Sequence, residues 1–93
     1  LGDAIEDVTL ANAVSVQPNP TVDFANVNID LATAQEIRLE LVNNLGQLVW
    51  STNPTSTLSA TYVIDMTLFA EGVYQLNIIG ENAMATKSIV LVK

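Results

Sequence analysis

Apolar residues recur at every second position along most of this chain after Val14. Ile37, Leu39 and Leu41 alternate with Arg38 and Glu40, the pattern of a strand with one face in a core and the other in water. Leu48 and Trp50 continue beyond Asn43-Asn44-Leu45-Gly46. That polar step ending in glycine predicts a hairpin, because Asn and Gly tolerate the backbone of tight turns. Tyr62, Ile64 and Met66 alternate next, followed by Tyr74, Leu76 and Ile78 around Gln75 and Asn77. The last segment, Thr86 to Val92, is apolar on both parities, which predicts an interior strand or an edge that some partner covers. One stretch breaks step: Val22 and Phe24 share a parity, while Val27, Ile29 and Leu31 share the other. An extra residue near Ala25-Asn26 would restore alternation, so a bulge or strand switch is expected there.

These segments predict an all-β fold, an antiparallel β-sandwich of about seven short strands. Thr67 to Glu71 is expected to make one tight turn. The expected core is Phe24, Ile29, Leu39, Leu41, Trp50, Ile64, Tyr74, Leu76 and Ile89. Residues 1–13 carry Asp3, Glu6 and Asp7 and few large apolar groups. Ile5 and Val8 share a helical face, but so short a segment is marginal alone and reads as an acidic linker. The chain thus divides into a linker, 1–13, from an upstream cargo domain and a folded domain, 14–93. It opens on Leu1 without a basic, apolar leader and reads as a fragment of a larger protein.

Composition narrows the function. The net charge is −7 over 93 residues, and only Arg38, Lys87 and Lys93 are positive. Nucleic-acid binding needs clustered cations to displace counterions, and an anionic membrane would repel this chain. No run is long enough to insert in a bilayer as a helix. Without cysteine or histidine there is no disulfide, no thiol chemistry and no imidazole base. Asp23, Asn26, Asn28 and Asp30 offer oxygens, but without the loop spacing of a calcium site. Asp30 and Glu36 have the right chemistry for glycoside hydrolysis, but nothing shapes a cleft around them. The expectation is a non-enzyme with no cofactor and no metal.

Three motifs stand out. Pro18-Asn19-Pro20 fixes φ at two positions and removes two donors, making a rigid corner between Val16 and Val22. Asp65 to Tyr74 is the strongest local signature. A sandwich tyrosine at the start of a strand, here Tyr74, bonds its hydroxyl back to the backbone upstream. Asp65 accepts a turn amide and Gly72 supplies positive φ. On the last strand, Lys87 and Lys93 share parity with Ile89 and Leu91, a strip that reads either as lysines guarding an edge or as a charged and apolar surface for a receptor.

In order and spacing, Pro18-Asn19-Pro20, the strand Ile37 to Val42 leading into Asn44-Leu45-Gly46-Gln47, then Gly72-Val73-Tyr74, and Thr86 to Lys93 resemble the type A C-terminal sorting domain of the type IX secretion system of Bacteroidota. The resemblance covers about Val14 to Lys93. It departs from the family pattern at Gln17, where an aromatic or aliphatic residue is common, and at Ser88, where a second lysine is common. The resemblance implies an immunoglobulin-like sandwich that directs a folded parent from the periplasm, through the outer-membrane translocon and shuttle components, to the cell surface or medium. It implies removal by a sortase-like peptidase, at a site expected before Val14. It also implies that Gly72, Tyr74, Lys87 and Lys93 carry the signal, with Pro18 and Pro20 where the chain enters. Docking of the final strand and its lysines onto an outer-membrane receptor is the expected mechanism, with sheet extension through backbone hydrogen bonds one way to achieve it and side chains setting selectivity. The same two-sided strand makes an edge-strand dimer an expectation. The alternative is an immunoglobulin- or fibronectin-like binding or spacer module, for which an exposed, coplanar Trp50 and Tyr62 would be the sign.

Overall fold

A computed structural model describes residues 8–93. Asp3, Ile5, Glu6 and Asp7, on which the linker expectation partly rests, lie outside the described residues. The elements are a short helix α1 (Val8–Asn12), then β1 (Val14–Gln17), β2 (Phe24–Val42), β3 (Leu48–Ser51) and β4 (Thr55–Asp65). A 3-10 turn (Met66–Leu68), β5 (Gly72–Ile79) and β6 (Met84–Leu91) follow.

The all-β, antiparallel class is as expected, but among the described residues the strands number six and join in one curled sheet ordered β1-β2-β5-β6, with β3 and β4 also on β2. The reason is β2. Its 19 residues contain no glycine or proline to end it. Its first half pairs with β1 on one edge and β4 on the other, and its last residues pair with β3 and β5. What alternation presents as several short strands is one spine shared by both halves of the sheet.

At both ends of β2 the odd positions face inward: Ala25, Val27 and Ile29 in the first half, Ile37, Leu39 and Leu41 in the second. They join Ile64, Met66, Tyr74, Leu76, Ile78, Ala85, Ile89 and Leu91 in one core. Each large side chain buried there contributes about 1.5–3 kcal/mol. The expected bulge at Ala25-Asn26 is absent: the register from Phe24↔Asp65 to Asp30↔Ser59 is unbroken. Val22 and Phe24 instead point outward, 67% and 44% exposed, so Phe24 is not a core residue. The register slips between Asp30 and Gln35, in a stretch mostly open to water, where the sheet curls. Trp50 is half-buried at the margin of the core.

The turn after β2 follows the residue chemistry closely. Gly46 takes φ +81°, and the Asn43 side-chain oxygen accepts the N–H groups of Leu45 and Gln47. At the other end, Leu10 of α1 is 4% exposed and belongs to the core, so the stretch read as linker contributes Leu10 to the fold.

Candidate functional site

Pro18 and Pro20, each preceded by a cis peptide bond, leave β1 and turn the chain toward β6. Asn19 between them donates from Nδ2 to the Ser88 carbonyl (2.7 Å) and accepts the Val90 N–H on Oδ1 (2.9 Å). Thr21 then bridges Leu91 in parallel, donating its N–H to the Val90 carbonyl (2.8 Å) and accepting the Val92 N–H (2.9 Å). Thr21 is buried, and its hydroxyl is satisfied by the Phe24 carbonyl. The outer edge of β6 from Ser88 to Val92 is therefore occupied by the chain itself. The two-sided apolarity of the last strand, expected of an interior strand or of an edge covered by a partner, is here met by the chain's own segment from Asn19 to Thr21.

The Asp65–Tyr74 segment behaves as its residues demand. Asp65 accepts both the Thr67 hydroxyl (2.5 Å) and the Thr67 N–H (3.0 Å), capping the 3-10 turn. Those two bonds, the hydroxyl first, hold its carboxyl below the usual carboxylate range. Gly72 opens β5 at φ +152°, a conformation that side chains with a Cβ rarely adopt. Two residues on, Tyr74 is buried against Phe69 (ring centroids 5.9 Å), and its hydroxyl donates to the Ala70 carbonyl. The tyrosine corner read from the sequence is thus formed.

Lys93 returns to this same corner: its backbone N–H meets Glu71 Oε1 (3.2 Å) and its Nζ donates to the Thr67 carbonyl (3.1 Å). Gly72 pairs with Leu91, and Leu91 meets Thr21 on its other side. Pro18, Pro20, Gly72, Tyr74 and Lys93 therefore gather at one end of the sheet. Lys87 does not join them. It sits opposite Leu76, half-buried, roughly 20 Å of extended strand from Lys93. Ile89 and Leu91 between the lysines are in the core. The Lys-Ile-Leu-Lys strip is consequently not an outward surface; only its two ends reach water.

Asn19 and Thr21 are the residues that sequence reasoning undervalued. The signal was an amide side chain held between two prolines, but its partners lie about seventy residues away. Trp50 and Tyr62 meet edge to face, at 78° and 6.3 Å, and both are half-buried; they do not form a flat stacking platform. A depression of about 120 Å³ between α1 and the bend of β2 is lined by Leu10, Leu31 and Ala83 among others. It is well below the several hundred Å³ of a usual ligand pocket. The feature that gathers polar and backbone groups is the corner where the start and end of the sheet are bonded together.

Residues 15–93 match a family model described as the secretion system C-terminal sorting domain. No curated protein and no solved structure matches the chain.

Proposed function

The chain belongs to the family of type IX secretion system C-terminal sorting domains, and from that premise we propose that it directs a folded parent protein to the cell surface or medium and is then removed by a sortase-like peptidase. Membership itself carries export by the secretion system and interaction with its machinery. The finer route, from periplasm through an outer-membrane translocon and its shuttle in a member of the Bacteroidota, is our reading. So is the absence of any catalytic role.

The observation that carries the reading is the convergence of Pro18, Pro20, Gly72, Tyr74 and Lys93 at one corner of the sheet. We assign the signal to that corner, with Lys87 as a separate, lateral contact. Gly72 and Tyr74 build the corner, Pro18 and Pro20 fix the segment crossing it, and Lys93 presents charge at its rim. Sheet extension on β6 is disfavoured from Ser88 to Val92, because Asn19 and Thr21 already use those backbone groups. Recognition by side chains and surface shape fits better. We also put the boundary with the parent before Leu10, since a cut between Leu10 and Val14 would strip Leu10 from the core.

The test is a fluorescent reporter, carrying its own signal peptide, fused to residues 8–93 in a host with a type IX system. Surface display is expected, with loss of the tag detected by mass spectrometry. Removal of residues 72–93 should hold the reporter in the periplasm. Substituting Lys87 and Lys93 together by Ser should lower display while the purified domain keeps its circular dichroism. Equal display with and without residues 72–93 would sink the reading.

A further inference from the structure

We propose that the outer edge of β4 is a self-association surface, on which a second copy of this chain adds its own β4 antiparallel. The argument is independent of the export reading and begins with where the backbone points. The Asp30 N–H bonds the Ala13 carbonyl, so Asp30 turns its backbone groups toward β1. Alternation then turns Ala25, Val27 and Ile29 toward β4, where they meet Ile64, Tyr62 and Ala60. The N–H and C=O groups of Ser59, Thr61 and Val63 therefore point off the sheet. Among the described residues nothing bonds them, and β4 pairs with β2 alone.

This edge differs from the others. β1 and β3 have four residues each, too short to template much. β6 is closed by Asn19 and Thr21 and carries the inward-facing Lys87, and an inward charge discourages strand addition. β4 runs 11 residues and holds no charge, proline or glycine from Thr55 to Ile64, within a chain of net charge −7. Its Thr, Tyr, Val and Ile content suits a strand. Val63 on this strand is 60% exposed.

The strand is also complementary to itself. A two-fold axis at Thr61 sets Ser59 of one copy opposite Val63 of the other and Thr61 opposite Thr61, and the regular edge ends before the register shift that turns Thr57 inward, leaving Asp65 without an acid opposite. All three outward residues then fall in hydrogen-bonded pairs, and no acid meets an acid. A single added strand buries less than the roughly 1,200–2,000 Å² of a standard interface, so the dimer is weak. Charge on each copy opposes it, so salt tightens it by screening. Docking onto a basic partner would loosen with salt.

Sedimentation equilibrium of the 93-residue chain at about 0.5 mM, in low salt and again in about 0.5 M NaCl, tests this. The expected result is a monomer–dimer equilibrium that shifts toward dimer with salt. Thr61→Pro removes an outward donor without touching the ladder to β2, and should weaken the dimer at least about tenfold. Thr61→Lys sets two like charges face to face at the axis and should also weaken it. Near-ultraviolet circular dichroism of Trp50 and Tyr74 reports whether each variant is folded. If Thr61→Pro unfolds, Thr61→Lys decides. A monomer at high salt leaves the edge to an extended segment of some other protein and overturns the proposal. So does a dimer unchanged in a folded variant.

Discussion

Asn19 accepts the backbone N–H of Val90 at 2.9 Å across 71 residues of sequence. With its second bond, to the Ser88 carbonyl, this one amide pins the cis-proline corner to the last strand. Asn19→Ala removes both bonds and should cost about 1–2 kcal/mol in urea unfolding. Amide exchange at Val90 should quicken with it. Unchanged exchange at Val90 would mean that water already competes for this edge.

The Tyr74 hydroxyl should be separable from its ring. Tyr74→Phe keeps the contact with Phe69 and loses the bond to Ala70, for about 1 kcal/mol. Tyr74→Ala also opens a cavity among buried neighbours and should cost about 3–5 kcal/mol. Equal melting temperatures for the two variants would place the whole effect in the hydroxyl.

Gly72 offers a cleaner experiment, because nothing lies within 4 Å of where a Cβ would stand. Any penalty in Gly72→Ala is then backbone strain from φ +152°, about 1–3 kcal/mol. A synthetic chain with D-alanine at this position accepts positive φ and should recover most of the loss. Equal destabilisation by L- and D-alanine would point to a steric cause instead.

Asp65 gives the fold a sensitivity to acid. Bonding to the Thr67 hydroxyl, then to its N–H, depresses the folded-state pKa from the ordinary 3.8. The stabilisation is therefore complete above the unfolded-state value and is lost as pH falls through the folded one. Thr67→Val removes the larger of the two causes. The carboxyl carbon of Asp65, followed by NMR, should then titrate at higher pH. An unmoved midpoint would assign the depression to the backbone bond alone.

The parts of the fold legible in the sequence are those whose causes are local. Ile37, Leu39 and Leu41 declare a half-buried strand by their spacing, Asn43 and Gly46 declare a turn by their backbone tolerance, and Asp65, Gly72 and Tyr74 declare a corner. What escaped depends on distant partners. Phe24 looks like core by its size, yet Thr21 takes the inward place because it bridges Leu91, which no local pattern encodes. The parity change at Val22 and Phe24 marks where the chain leaves the β6 edge for β2, so of the two expected alternatives it is the strand switch, just ahead of Ala25, and not the bulge. Leu10 was hidden by its acidic neighbours. Of the proposed signal, the residue types were visible, but not that Ile89 and Leu91 turn inward and leave Lys87 apart from Lys93.

The unbroken run of β2 also governs how this molecule comes apart. Because Phe24 to Val42 supplies ladder partners to β1, β3, β4 and β5 alike, no line of separation divides the sheet into independently melting pieces. Heat or denaturant releases every neighbour of that strand at once, so calorimetry should record a single transition with equal calorimetric and van't Hoff enthalpies.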